Sequence, residues 1–253
     1  MFEYLVLRFV HCILTFGVFI KQCTNYFIHF GLAYKQKSSI LNLIKSDAKH
    51  LKKVPVHLGI VVLEDNHSYS DIANIIIWSL ALGISCISVY DVEGEYKRNQ
   101  VFLKEEVIKR QKEVLCDESS KYHICIHSSK QHSNVENGYS SSNRIDIQLL
   151  SQEDGRQGLV KMAQKLSKEV TAKNFKLEDI TPQNVDSLLQ ETNKFPDPDL
   201  VIKFGAVDAL LGFLPWQIRL TEILSYTTHC GLTYKSFISL FYSYGKTQQR
   251  FGR

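Results

Sequence analysis

Residues 56–63 read Val-His-Leu-Gly-Ile-Val-Val-Leu, apolar at odd and even positions alike. A run of this length without alternation suits a strand covered on both faces, the environment found in parallel sheets. Ile84 to Tyr90, rich in β-branched and aromatic residues, and Leu200 to Phe204 read the same way. Between these runs the period changes to that of a helix. Ser70 is placed to cap a helix reaching Leu82, with Ile72, Ile75, Ile76 and Leu80 on one face and Gly83 closing it. A second helix, from about Asn99 to Cys116, sets Val101, Ile108 and Leu115 along one stripe with Lys and Glu opposite.

The second half continues the pattern. Arg144 to Leu150 alternates Ile145, Ile147 and Leu149, as an edge or half-buried strand does, and Glu153 to Ala172 is amphipathic. Thr181-Pro182 opens another helix, a cap followed by proline at the first helical position. Trp216 to Leu224 and Tyr234 to Tyr244 are read as the last two helices. Residues 117–143 break the order. Apart from a short alternation at Tyr122, Ile124 and Ile126 they lack an apolar period and read as a polar surface insertion. Strands separated by helices predict an α/β fold, a mostly parallel sheet flanked by helices on both faces. No internal repeat is visible.

The length of 253 residues fits an N-terminal segment plus one α/β domain. With a net charge of +4 and basic residues interleaved with acids, the chain does not read as a nucleic-acid protein. Cysteines 12, 23, 86, 116, 125 and 230 form no Cys-x-x-Cys pair, which argues for buried thiols in a reducing compartment and against a zinc site. His123, His127 and His132 lack a matching Cys or Glu scaffold and read as part of the polar loop. Asn66-His67-Ser68 is a glycosylation sequon, without consequence for a domain in the cytosol.

Residues 1–34 read as a membrane anchor and interfacial segment. Tyr4 to Ile20 is mostly apolar, with Arg8 near enough to one end to snorkel, and Tyr26 to Tyr34 is a shorter apolar patch with aromatic ends. The basic linker 35–54 carries Lys35, Lys37, Lys45, Lys49, Lys52 and Lys53, an excess of positive charge that places the following domain, 55–253, in the cytosol. A cleaved signal peptide and a peripheral amphipathic helix are the alternatives, the former lacking a small-residue cleavage site.

Several separated segments are more specific. They include Pro55-Val56-His57-Leu58-Gly59, Tyr69-Ser70-Asp71-Ile72-Ala73, Ile87-Ser88-Val89-Tyr90-Asp91 and Ser151-Gln152-Glu153-Asp154-Gly155. Pro196 to Gly205, Gly212-Phe213-Leu214-Pro215-Trp216, Ile218 to Ile223 and the terminal Gln249-Arg250-Phe251-Gly252-Arg253 follow in the same order. Together they resemble the Nogo-B receptor family, the non-catalytic partner subunits of dehydrodolichyl diphosphate synthase within the cis-prenyltransferase (undecaprenyl diphosphate synthase-like) superfamily.

The resemblance also marks what is missing. Catalytic relatives end the first strand on an Asp that works with Mg²⁺ on the departing diphosphate; Leu63 stands there. Leucine offers no oxygen to a hard cation. The Glu64-Asp65 pair that follows reads as a solvated turn. Where the relatives place an Arg, a Glu, a second Arg and a Ser around diphosphate, this chain has Lys203, Val207, Ala209 and Leu211. Glu222 aligns with a Glu that helps hold Mg²⁺ and the homoallylic diphosphate, and is a weak candidate on its own. Arg250 and Gly252 match a tail that reaches across the dimer into the partner's active site: the Arg supplies paired donors, and the Gly leaves the backbone unobstructed.

The resemblance therefore implies an accessory subunit, inactive alone, of an endoplasmic reticulum membrane complex that adds isopentenyl diphosphate to farnesyl diphosphate to make long-chain polyprenyl diphosphate for dolichol and protein glycosylation. The catalytic subunit would bind most of the Mg²⁺. The alternative is a membrane-anchored receptor or interaction protein on a degenerate cis-prenyltransferase fold.

Overall fold

The computed structural model describes residues 40–128, 144–193 and 195–248. In chain order the elements are α1 (residues 40–50), β1 (His57–Val62), α2 (Tyr69–Leu82), β2 (Cys86–Asp91), a short α3 (Glu95–Arg98) and α4 (Gln100–Leu115). Then come β3 (His123–Ser128), β4 (Arg144–Leu150), α5 (Arg156–Thr171), α6 (Pro182–Asn193), β5 (Leu200–Phe204), β6 (Glu222–Tyr226) and α7 (Tyr234–Tyr244). The strands form one six-stranded sheet in the order β3-β4-β2-β1-β5-β6. Every neighbouring pair is parallel. The unbroken apolar run has its cause here, because β1 lies inside the sheet and all six of its residues are buried.

One face of the sheet carries Leu58, Ile60, Val62, Ile87, Val89, Ile145, Ile147, Leu149, Ile202 and Phe204 into the main core. That core is closed by α2 (Ile72, Ile75, Ile76), α4 (Leu103, Val107) and α7 (Phe237, Phe241). Within the basic segment, Leu41 and Ile44 of α1 are buried in the same core. At roughly 1.5–3 kcal/mol for each large apolar side chain removed from water, this face dominates the stability of the domain. On the other face Val61, Tyr90, Leu150 and Val201 meet Phe213 and Leu214. Gly59 is required there: a Cβ would stand 2.8 Å from a Val201 methyl and 2.9 Å from the Phe213 ring. A separate cluster of Met162, Leu166 and Leu189, with Trp216 against it, ties α5 to α6.

Several expectations are corrected. The cap of α2 is Ser68, whose Oγ accepts the Asp71 N–H, while Ser70 lies within the helix. In α4 the buried residues are Leu103, Val107, Val114 and, as expected, Leu115, whereas Val101 and Ile108 are exposed. Both rows recur at helical spacing, so only the position of the sheet decides between them. Trp216 to Leu224 is not a helix. It is a 3₁₀ turn, Gln217–Leu220, interrupted at Ile218, followed by β6, where Glu222 to Tyr226 pair with β5 and the ladder outweighs local preference. The alternation at Tyr122, Ile124 and Ile126 within 117–143 is a true edge strand, β3, which makes β4 an interior strand. His123 and His127 lie on β3. His132 lies outside the described residues.

Among the described residues no helix is long and apolar enough to cross a membrane. The anchor expected over 1–34 and the Arg-x-Gly tail at 249–253 lie outside the described residues. Cys86, Cys116, Cys125 and Cys230 are free thiols, and Cys12 and Cys23 fall outside.

Candidate functional site at the carboxyl ends of the strands

In open parallel sheets, ligands bind beyond the carboxyl ends of the strands. Here β1 delivers Leu63, β2 delivers Asp91 and β5 delivers Lys203 and Phe204 to that end. Leu63, like Val92, Leu210 and Ile218, is partly buried against the cluster that includes Val61, Tyr90, Leu150 and Phe213. Its amide donates to the Phe204 carbonyl at 3.0 Å. The position at which the resemblance expects a metal-binding carboxylate thus lies against an apolar cluster. Gly205 makes the approach possible. Its φ is +108°, and a Cβ would lie 2.7 Å from the Leu63 carbonyl oxygen.

Lys203 is buried, and its Nζ donates to the Val207 carbonyl and lies 3.5 Å from Asp208 Oδ1. The cation therefore closes its own loop and is not presented to an anion. Val207, Ala209 and Leu211 are exposed on that loop. Leu211 holds a φ of +43°, and its carbonyl accepts the Tyr90 hydroxyl at 2.7 Å. Beside it lies a cavity of about 250 Å³ lined by Val92, Gln152, Arg156, Gln157, Leu211 and Gly212. Arg156 is the one charged residue in that lining. A single cation does not make the clamp of donors that a diphosphate needs.

Glu222 is far from this end. It opens β6 level with Leu200, which is level with Leu58 on β1. Five residues of strand, at roughly 3.3 Å each, separate that level from Leu63, on the order of 16 Å. Within one chain, Glu222 and the front end cannot share an ion. Asp91 is also committed: it accepts from the Glu95 and Tyr96 amides, and burial pushes its carboxyl up against the pull of those bonds. Arg98 bonds the Glu93 carbonyl and Glu95.

Glu64 was expected to be a solvated turn residue, and it is not. Its Oε1 accepts from the His229 amide and from His229 Nδ1, each at 2.9 Å, and its Oε2 accepts from the Thr228 hydroxyl. Burial alone would raise the carboxyl, yet the bonds from Thr228 and His229 hold it below the usual range. His229 is fully buried, and its Nε2 faces the Ser68 amide at 3.0 Å and the Tyr96 hydroxyl at 3.2 Å. Since an amide can only donate, Nε2 is the acceptor and Nδ1 carries the proton. Asp71 completes the contact by accepting the Gly231 amide at 3.0 Å. A partner 165 residues away carries no local signal, so the pair was not legible in the sequence.

Glu64, His229 and Cys230 are also close enough to suggest a metal centre. The lone pair of Nε2 is already taken, Nδ1 holds a proton, and burial pushes the Cys230 thiol up. These groups do not fit an ion, and the Mg²⁺ implied by the resemblance finds no set of oxygen donors here.

His57 is buried between its own strand and the segment before β5. Its Nε2 pairs with the Ser88 hydroxyl at 2.8 Å and its Nδ1 with the Pro196 carbonyl at 2.6 Å, while Asp199 accepts the Val56 and His57 amides. Burial pushes its pKa down to about 4. Val56 and His57 are therefore an architectural joint between β1, β2 and the segment leading into β5.

Residues 64–252 match the family model described as putative undecaprenyl diphosphate synthase. The chain is 41% identical over 211 residues to the dehydrodolichyl diphosphate synthase complex subunit Nus1 of Mus musculus, covering 83% of this chain and 69% of that protein. It is 28% identical to the subunit of the same name from Saccharomyces cerevisiae, covering 94% of this chain and 71% of that one. Among solved structures, lavandulyl diphosphate synthase from Lavandula x intermedia shares the fold, with a TM-score of 0.56 at 17% identity over 79% of this chain and 99% of that one.

Proposed function

Because the chain belongs to the Nus1 subunits of the undecaprenyl diphosphate synthase family, we propose that it is the accessory, individually inactive subunit of a dehydrodolichyl diphosphate synthase complex. The observation that carries this reading is Leu63. An aliphatic side chain packed against the cluster of Val61, Tyr90 and Phe213 stands where metal-assisted departure of diphosphate needs a carboxylate. The diphosphate positions Val207, Ala209 and Leu211 are equally without donors, and Lys203 is turned inward.

The catalytic subunit supplies the carboxylate, the arginines and most of the Mg²⁺, and it joins isopentenyl diphosphate units to farnesyl diphosphate to make the polyprenyl diphosphate used for dolichol. This chain contributes dimer contacts, a membrane tether and a tail. Residues 1–34 anchor it in the endoplasmic reticulum membrane with the domain in the cytosol, an arrangement supported by the apolar stretch and the lysines that follow it. Arg250 and Gly252 enter the partner's site, where a guanidinium fork and an open backbone meet substrate diphosphate.

The test is isopentenyl incorporation by this chain alone, by a candidate catalytic subunit alone, and by the two co-expressed. Activity that appears or rises many-fold only on co-expression supports the subunit. Turnover by this chain alone overturns it, and so does stable pairing without any effect on the partner's turnover.

A further inference from the structure

We infer that Glu64 is a positioning residue for the shared reaction: with His229 it braces the loop after β1 against the loop that launches α7, and so fixes where the C-terminal segment leaves the domain. This deepens the proposed function and rests on its reading of the tail.

The two loops meet at the carboxyl end of the sheet. One, Leu63 to Ser68, occupies the place of a catalytic loop; the other, Thr227 to Thr233, connects β6 to α7. Glu64 takes three hydrogen bonds from Thr228 and His229, and His229 returns one by accepting the Ser68 amide. Asp71, on the first turn of α2, adds the Gly231 amide. Thr233 then caps α7 by accepting the Ser236 N–H. The carboxylate that follows the vacated catalytic position thus serves the other end of the chain.

Hydrophobic packing alone does not fix α7 along its axis. Phe237, Ile238, Phe241 and Tyr244 hold one face against the core, but such contacts are non-directional. Hydrogen bonds to a partly buried carboxylate are directional and charge-assisted, so together with the bonds that the Tyr234 and Tyr242 hydroxyls donate to Asp47 they set the axial register of the helix. Little lies between α7 and the tail to absorb an error: Gly245, Lys246 and Thr247 each bond back to the last turn of the helix. A displacement at the start of α7 is passed on to whatever follows residue 248.

The experiment uses the full-length chain co-expressed with its catalytic partner, with Phe251 replaced by the photocrosslinker benzoylphenylalanine. Glu64→Gln keeps the shape and one acceptor oxygen but removes the charge and the second acceptor. Crosslinking of position 251 to the partner should fall several-fold. The apparent KM for isopentenyl diphosphate, measured without the crosslinker, should rise about tenfold, the effect of losing one charge-assisted hydrogen bond. Complex yield and saturating turnover should change much less. Should Glu64→Gln fail to fold, Thr228→Val removes one bond to the carboxylate, together with the acceptor of the Cys230 amide in the same loop, and is read in the same way.

Unchanged crosslinking and KM overturn the brace, and if deletion of 250–253 still abolishes activity the tail reading survives. Reduced activity with crosslinking retained and complex yield lowered shows ordinary loss of stability and also overturns it. Full activity after deletion of 250–253 overturns the tail reading, and the brace falls with it.

Discussion

The Tyr90 hydroxyl donates to the carbonyl of Leu211 at 2.7 Å, tying the end of β2 to a loop whose backbone at Leu211 is left-handed, with φ +43°. This bond holds the loop that in relatives carries diphosphate donors down onto the apolar cluster around Phe213. At this end the packing around Phe213 and the chemistry of the side chains that reach it have separable consequences.

Restoring one ligand should not restore chemistry. Leu63→Asp sets a carboxylate against the apolar cluster that includes Val61, Tyr90 and Phe213. The variant is expected to lose about 1–3 kcal/mol of stability, the cost of an unpaired polar group in apolar surroundings. It should show no isopentenyl incorporation alone, with farnesyl diphosphate and Mg²⁺ supplied. Chemical denaturation and a radiolabel assay on the purified chain measure both effects.

The clasp over the front end depends on a glycine. A Cβ on Gly155 would lie 2.0 Å from the Gly212 carbonyl oxygen, closer than any real contact, and a backbone atom cannot swing aside. Gly155→Ala is expected to force the loop ending β4 away from Gly212 and to lower stability by about 2 kcal/mol or more. A melting temperature equal to that of the parent would show that the two loops separate freely.

Acid should weaken the domain through His57. Its folded pKa of about 4 lies below the unfolded value of 6.5. Between those values the unfolded chain binds the extra proton, so stability rises with pH. The contribution is fully present above pH 6.5 and lost as pH falls toward about 4. Its size is on the order of 3 kcal/mol. His57→Gln should flatten that part of the stability profile, as followed by urea titration at each pH, whereas an unchanged acid limb would assign the titration elsewhere.

The tail carries the largest functional prediction. Arg250→His or Gly252→Ala should lower turnover of the two-subunit complex, or raise its apparent KM for isopentenyl diphosphate, without breaking the pair. Loss of a charged partner to phosphate costs roughly 2–4 kcal/mol, or about 10² to 10³ in rate. Removing Arg253 alone should be milder, since the Arg-x-Gly unit remains. Co-purification and steady-state kinetics of the same preparations separate assembly from catalysis.

Membrane attachment is tested by truncation. Without residues 1–34 the domain should leave the membrane fraction under alkaline extraction, yet fold and pair with its partner. The truncated chain remaining with membranes would place the anchor elsewhere.

The alternation of two-sided apolar runs with helical periods was enough to establish a parallel α/β domain, because a strand buried on both faces has no other common home. Once the resemblance had marked the positions, their side chains were legible too: a leucine at 63 and aliphatic residues at 207, 209 and 211 offer no polar group in any conformation. What needed the tertiary structure were choices between equals and partners far apart in the chain. Val101 and Ile108 recur at helical spacing as well as Leu103 and Val107 do, and only the placement of α4 over the sheet buries the second pair. Residues 222–226 suit a helix or a strand until β5 offers them a ladder. Glu64 and Asp65 are indistinguishable as acidic loop residues, but Glu64 alone meets a buried histidine brought from 165 positions away. Local preference is written in neighbouring residues, whereas the worth of a carboxylate depends on which donors and how much water the fold places around it.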